Sequence, residues 1–142
     1  MKKLIAIAAC AVMALSLAAC GGSKMPDGTY TAEMKNASHD YKDYLTVTYK
    51  DGKVVEADFD SKNVNTGNLK SEATFEEYPM EFSPSEWMPM IEENVKKASS
   101  SKDIDTVAGA TWGSESAKSL LKAIEDSKGK TSGTIIVENE AE

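Results

Sequence analysis

Residues 44–60 read YLTVTYKDGKVVEADFD, and this stretch decides the fold that we expect for the chain. Apolar and polar residues alternate on both sides of Lys50-Asp51-Gly52, which is the pattern of two half-buried strands joined by a tight turn. A three-residue turn, with its glycine in the left-handed conformation, pairs Val47 with Val55, whereas a two-residue turn sets Val47 opposite the charged Glu56. We therefore predict the three-residue turn. The expected buried face consists of Leu45, Val47, Tyr49, Val55, Ala57 and Phe59.

Further elements on either side of this hairpin predict an α+β fold. Alternating patterns indicate a first strand over residues 29–34 and a last strand over residues 134–137. Residues 114–127 carry apolar side chains at i, i+3, i+4 and i+7, the spacing of a helix with one buried face. Together with a helix before them, these elements predict an antiparallel sheet with two helices packed on one face.

The start of the earlier helix is open to two interpretations. Residues 83–86 read SPSE, which fits a capping box with proline at the first helical position. Pro89 would interrupt a helix that begins there, because proline lacks the backbone N–H. We therefore expect a short turn followed by a helix over residues 89–98.

The first residues have the features of a targeting segment. Lys2 and Lys3 precede an apolar run over residues 4–17, and Leu17-Ala18-Ala19-Cys20 resembles the lipobox that ends in a lipid-modified cysteine. We predict a lipoprotein signal peptide over residues 1–19 and lipidation of Cys20. The alternative is an ordinary secretory signal in which Cys20 has no special role.

The rest of the chain is long enough for one compact domain. We expect a linker over residues 20–27 that includes the lipidated cysteine, a domain over residues 28–137, and a mobile acidic tail over residues 138–142. The chain has two cysteines, Cys10 and Cys20, and the first leaves with the signal peptide, so the predicted domain has no disulfide.

The charge of the chain excludes some partners. The formal net charge is −7, and removal of the signal peptide takes away two further lysines. We expect no binding of nucleic acid, which requires clustered Lys and Arg. For the same reason, contact with the membrane is expected through acyl chains on Cys20 rather than through a basic patch.

Residues 105–112 read DTVAGATW and lead into the second predicted helix. Gly109 and Ala110 carry little bulk, so the backbone can approach a ligand closely. Thr111 brings a hydroxyl to the helix N-terminus, where unpaired N–H groups and the helix dipole favour an anion. The alternative is an ordinary loop that ends in a helix N-cap.

The Ala-Gly-Ala-Thr sequence after an aspartate resembles the flavinylation motif of the FMN-binding domain family. This family includes flavin subunits of sodium-pumping and related membrane NADH dehydrogenases, and small extracytoplasmic lipoproteins. The resemblance extends from about residue 28 to residue 127 and is sharpest over residues 105–111. It implies that FMN is attached by a phosphoester to Thr111. The family usually has Ser or Thr in place of Ala108, and often in place of Trp112.

Several other side chains are candidates for contact with the flavin or its phosphate. Trp112, Trp87 and Met88 could cover a flat, polarisable flavin ring, although such residues are more often core. Lys70 and Ser71 could reach the phosphate, or could be solvated surface residues. The predicted cofactor-binding residues are thus Asp105, Ala108, Gly109, Ala110, Thr111, Trp112, Trp87 and Met88.

We expect the other polar residues to lie at the surface or to cap helices, rather than to bind a metal or take part in catalysis. We interpret His39, the only histidine, as a solvated residue, because no cysteine accompanies it to form a metal site. Asp58 and Asp60 are placed on the exposed face of a strand, and Ser114 is a candidate for a helix cap. Asp105 is a candidate either for recognition by an attaching enzyme or for a cap.

The hypothesis that follows is a lipid-anchored flavoprotein on the extracytoplasmic face of the membrane, a carrier of electrons rather than a stand-alone enzyme. The resemblance implies a flavin transferase that uses FAD and Mg²⁺, and a membrane quinol or NADH dehydrogenase as the electron donor. Two alternatives remain at this point. One is a lipoprotein without redox activity that binds a small ligand or a partner protein, and the other is a subunit of a reductase complex with noncovalent FMN.

Overall fold

A computed structural model describes residues 24–140, so the predicted signal peptide and Cys20 lie outside the described residues. The described residues form four strands, two helices and two single-turn 3₁₀ helices (Lys70–Glu72 and Ser101–Asp103). The strands and helices are β1 (Gly28–Met34), β2 (Tyr41–Lys50), β3 (Lys53–Asn63), α1 (Pro84–Lys97), α2 (Thr111–Ser127) and β4 (Ile135–Val137). Within residues 24–140, no helix is long and apolar enough to cross a membrane.

The four strands form one sheet in the order β3-β2-β1-β4. β1 and β3 run antiparallel to β2, whereas β4 pairs in parallel with β1. Inward-facing residues of the sheet and apolar residues of both helices form a single core, which confirms the predicted α+β arrangement. In β1, Tyr30, Ala32 and Met34 are buried in alternation, as the sequence pattern predicted.

The hairpin between β2 and β3 differs from the predicted register. Asp51 and Gly52 both have positive φ and form a two-residue turn between the paired Lys50 and Lys53. The prediction of a three-residue turn was therefore wrong. The pairing of the two strands shifts by one residue next to this turn. Tyr49 pairs with Val54, whereas its neighbour Thr48 pairs with Glu56.

This β-bulge leaves Val55 without a partner residue and restores the apolar pairing beyond it. Val47 then faces Ala57 and Leu45 faces Phe59. Val55 is 47% exposed, and Val54 packs against the core in its place. The other five residues of the predicted buried face are buried or half-buried, as expected.

Helix α1 begins at Pro84, five residues before the predicted start. The Ser83 backbone N–H donates to Glu86 Oε2 at 2.8 Å, and the capping box is complete. Pro89 lies inside the helix and is exposed, and near the N-terminus it removes only one backbone hydrogen bond. Burial of Trp87 and Met88, which are 5% and 1% exposed, stabilises the turn before the proline.

Helix α2 begins at Thr111, three residues before the predicted start. Its predicted apolar face is confirmed, because Ala117, Leu120, Leu121 and Ile124 are all buried. The early start makes Thr111 the first helical residue rather than a residue of the preceding loop.

Both ends of the domain extend beyond the predicted limits. Met25 is only 8% exposed and belongs to the core, although the predicted linker included it. At the other end, Lys35 forms an ion pair with Glu138 at 3.0 Å, and the Asn36 backbone N–H donates to Asn139 Oδ1 at 2.8 Å. The first two residues of the predicted mobile tail are thus bonded to the segment that follows β1.

Close packing at Gly113 sets the distance between α1 and α2. A Cβ atom at this position would lie 2.8 Å from Trp87 Cζ3 and 3.1 Å from Ile91 Cδ1. Since Ile91 is fully buried and Trp87 nearly so, neither can move away easily. The start of α2 therefore rests directly on the middle of α1.

We expect Gly113→Ala to destabilise the domain. Overpacking costs about 1–3 kcal/mol, while the better helix propensity of alanine returns at most about 1 kcal/mol. Urea unfolding followed by circular dichroism measures the difference. Gly133→Ala is the control, because nothing lies within 4 Å of a Cβ there. A Gly113→Ala protein as stable as the unaltered one would contradict the packing described.

Candidate functional site

A cleft opens at the start of α2, between the ends of β2 and β3, the segment after the first 3₁₀ helix, and the loop before α2. Its side walls come from segments that are distant in sequence. The lining residues are Asp43, Phe59, Ser61, Lys70, Tyr78, Met80, Trp87, Gly109, Ala110, Thr111, Trp112 and Gly113. We refer to it as the Thr111 cleft.

The loop that enters α2 reaches the cleft through a left-handed residue. Gly109 has a φ of +83°, and a Cβ atom there would lie 3.1 Å from the Phe82 ring. Both the backbone conformation and the space thus favour glycine at this position. Ala108 and Gly109 are exposed, while Ala110 is 7% exposed and packs into the core.

Two hydrogen bonds of the Ser114 side chain connect this loop to α2. Its Oγ accepts the Val107 backbone N–H at 3.0 Å and donates to the Ala110 carbonyl at 2.9 Å. The side chain is fully buried, so water does not compete for these bonds. The prediction of Ser114 as a helix cap was wrong, since the N-cap residue is Ala110 and Ser114 lies within the first turns of α2.

The first turn of α2 is open to a ligand. Thr111 and Trp112 are exposed, and Ala110 provides no side-chain cap. The backbone N–H groups of the first helical residues have no acceptor within a helix, and the dipole makes this end partly positive. The Thr111 hydroxyl therefore stands beside backbone groups that suit an anion.

One cationic side chain reaches the same cleft. The Lys70 ammonium lies 4.7 Å from the centre of the Tyr41 ring and 5.1 Å from that of Tyr78. Burial lowers the pKa of Lys70 from its ordinary value, and the nearby Asp43 and Asp60 partly oppose this change. Lys70 thus lines the cleft and is half-buried rather than a fully solvated surface residue, and its contact with a phosphate stays a prediction.

The two aspartates near Lys70 are engaged with other groups. Asp60 is only 5% exposed and accepts hydrogen bonds from the backbone N–H groups of Ser61 and Ser71, at 2.7 and 3.1 Å, and from the Ser71 hydroxyl. Asp43 accepts the Ser61 hydroxyl. The prediction of an exposed Asp60 was wrong, because the segment around Ser71 covers the outer face of β3 at this point. Ser71 binds this aspartate and does not line the Thr111 cleft.

The predicted aromatic and thioether residues separate into three environments. Trp112 is 71% exposed and Trp87 is 5% exposed, and both line the Thr111 cleft. Met88 is 1% exposed within the core and is not among the lining residues, so its predicted contact with a flavin is not supported by its position. Pro84 and Val95 of the same helix are buried as well.

Asp105 lies outside the cleft, on the protein surface. Its backbone carbonyl accepts a hydrogen bond from Asn94 Nδ2 at 3.0 Å, which fixes the start of the loop against α1. The capping alternative for its side chain is excluded, because α2 begins six residues later. Asp105 is exposed, and its recognition by another protein stays a prediction.

A second cleft lies on the other side of Trp112. It is more apolar at its surface, and it contains Asn36 and Asn139, whose hydrogen bonds hold the C-terminal residues to the segment after β1. Its lining residues are Met34, Asn36, Ser38, Tyr41, Asp43, Trp112, Glu115, Ser116, Ser119 and Asn139. Trp112 and Asp43 thus border both clefts.

The residues present fit a phosphorylated, aromatic ligand better than a metal. Within residues 24–140, no group of three or more His, Cys, Asp or Glu side chains could hold a metal ion. In contrast, the Thr111 cleft combines a glycine-lined approach, an exposed helix N-terminus, a lysine and an exposed tryptophan. In addition, the buried Trp87 Nε1 has no hydrogen-bond partner in the described part of the chain. FMN carries a phosphate, a hydroxylated chain and an aromatic ring that match these groups.

The sequence did not identify every residue of this cleft. Asp43, Ser61 and Gly113 were not predicted, since they reach the site only through the register of β3 on β2 and the packing of α2 on α1. The alternation of β2 does place Asp43 on one face with Leu45 and Val47. That signal was available, but it gave no reason to connect Asp43 with residue 111.

Comparison with known proteins supports the assignment of this chain to a flavin-binding family. The FMN-binding domain family matches residues 40–138. A 15 kDa lipoprotein of Treponema pallidum (strain Nichols) is 29% identical over 117 residues, which cover 79% of this chain and 82% of that protein. The crystal structure of the CPE2226 protein from Clostridium perfringens superposes with a TM-score of 0.73 at 31% identity, covering 82% of this chain and 99% of that one. The chain belongs to the FMN-binding domain family.

Proposed function

We propose that this protein is a lipid-anchored electron carrier whose FMN is joined by a phosphoester to Thr111 Oγ1. One observation carries the proposal. In a domain of the FMN-binding family, Thr111 is exposed in the first turn of α2 and lines a cleft together with Gly109 and Ala110. A phosphoester at this position places its negative charge at the positive end of the helix.

Attachment requires a second protein. A threonine hydroxyl is a weak nucleophile without a base, and no lining residue of the Thr111 cleft is a histidine. We propose a transferase that uses FAD and Mg²⁺. The Thr111 oxygen forms a bond to the phosphorus of the FMN part, the pyrophosphate bond of FAD breaks, AMP leaves, and the hydroxyl proton passes to a base of the transferase. The exposed Asp105 is the proposed recognition point for that enzyme.

The chain's own residues orient the cofactor and shape its surroundings. The exposed Trp112 follows the attachment point directly and offers an aromatic face to a flavin ring. The ring would lie in the Thr111 cleft, which Thr111 itself lines, or in the second cleft on the Trp112 side chain. Bound FMN supplies the redox chemistry, whereas the protein supplies position and electrostatics.

The anchoring proposal rests on the lipobox-like sequence and on the relative named as a lipoprotein. Since Met25 is already packed in the core, five residue steps separate it from Cys20 along the chain. Five residue steps span at most roughly 17 Å. An acylated Cys20 would hold the flavin close to the extracytoplasmic face of the membrane, within reach of a membrane quinol or NADH dehydrogenase as the donor.

We expect the protein produced together with the transferase to gain the mass of one FMN moiety less water, on the peptide that contains Thr111. Thr111→Ala removes the only proposed acceptor oxygen, so the gain should be lost completely. Intact mass spectrometry followed by peptide mapping measures both.

Thr106→Ala is the matched control for this experiment. Thr106 is an exposed threonine of the same loop, and its hydroxyl accepts a hydrogen bond from Lys118 at 3.3 Å. This variant should be flavinylated like the unaltered protein. Persistence of the added mass in Thr111→Ala would show that another residue is the acceptor.

The position of Trp112 gives a second prediction. Tryptophan quenches the fluorescence of a nearby flavin by donating an electron to its excited state. Trp112→Leu should therefore increase the flavin fluorescence of the flavinylated protein several-fold. Phe75→Leu removes a side chain of similar exposure, 68%, outside both clefts and should leave the fluorescence unchanged. Equal fluorescence in the two variants would mean that the flavin does not contact Trp112.

A further inference from the structure

Lys70 is held in an unusual position for a lysine on an acidic protein. Its ammonium group lies between two aromatic rings, 4.7 Å from the centre of Tyr41 and 5.1 Å from that of Tyr78. The faces of the two rings attract the cation electrostatically, but they do not replace the oxygen acceptors that an ammonium group normally has. The side chain is half-buried, so water reaches the ammonium less freely than at the surface.

No carboxylate neutralises this cation directly. Among residues 24–140, none of the ion pairs within 4.0 Å includes Lys70. The two nearest acidic groups, Asp43 and Asp60, contribute to its electrostatic environment. Both already accept hydrogen bonds from serine hydroxyls, and Asp60 also accepts two backbone N–H groups. The ammonium is therefore fixed in place without an anionic partner in contact.

Lys70 lines the Thr111 cleft together with Gly109, Ala110 and Thr111. An anion in this space would meet the ammonium from one side and the backbone N–H groups at the start of α2 from the other. A phosphodiester carries one negative charge at neutral pH, which matches one lysine.

We infer that the Lys70 ammonium binds the phosphate group of the flavin attached to Thr111, and so fixes the direction in which the cofactor leaves the helix. This inference rests on the proposed function. Tyr41 and Tyr78 act as positioning residues, because they hold the ammonium in the cleft through their ring faces. A purely structural role, in which Lys70 only joins β2 to the segment around Tyr78, is the competing explanation.

The direct test is the pKa of Lys70 with and without the flavin. Burial lowers this pKa in the unmodified protein, while Asp43 and Asp60 raise it in part, and a phosphate in contact would raise it further. The ¹³Cε shift of Lys70, followed from pH 7 to pH 11 in the full-length protein, should therefore titrate at higher pH after flavinylation. Equal midpoints in the two forms would overturn the inference.

The second test uses the phosphorus atom as the probe. We expect the ³¹P resonance of the flavinylated protein to shift in Lys70→Met, which removes the charge and keeps an unbranched apolar side chain one atom shorter, and to shift less in Lys70→Arg. Lys122→Met is the control with the same change of charge, because Lys122 pairs with Asp126 on the exposed far half of α2. A ³¹P resonance that is the same in Lys70→Met and Lys122→Met would contradict the inference.

These experiments separate the two proposals. If peptide mapping finds FMN on Thr111 while the Lys70 pKa and the ³¹P resonance stay unchanged, the proposed function stands and the phosphate contact is wrong. If no FMN is found on Thr111, the proposed function itself fails, and the inference fails with it.

Discussion

The hydrogen bonds of one buried hydroxyl group determine the shape of the whole site. Ser114 Oγ binds the Val107 N–H and the Ala110 carbonyl at the same time, and thereby closes the loop that carries Ala108 and Gly109. Because Val107 and Ala110 are themselves buried, the loop is held on both sides of its exposed residues. Thr111 follows as the first residue of α2. The buried Ala110 before it fixes its backbone position, and Thr111 itself is exposed.

The packing beneath this loop connects the site to the fold. Gly113 allows α2 to rest on Trp87 and Ile91 of α1, and the capping box of α1 holds that helix in place despite Pro89. The sheet contributes the opposite wall through the ends of β2 and β3. A flavin at Thr111 would thus be attached to a rigid helix terminus and would lie against side chains from three separate parts of the chain, as orientation of a redox cofactor requires.

The sequence predicted the parts of this structure that depend on local pattern. The fold class, the buried face of α2 and the approach to Thr111 all followed from periodicity, small residues and motif. The prediction failed where tertiary contacts decide the structure. A two-residue turn and a bulge at Val55 replaced the three-residue turn, and burial of Trp87 stabilises a turn of α1 before Pro89. Asp60 is buried because a distant segment covers it, which no local pattern reveals.

The absorption spectrum of the denatured protein shows whether a flavin is covalently bound to the polypeptide, as attachment to Thr111 requires. The protein is purified from its own cells, unfolded in denaturant and filtered to remove free small molecules. We expect the flavin spectrum to stay with the polypeptide. A colourless polypeptide, with the flavin in the filtrate or with no flavin at any stage, would contradict it.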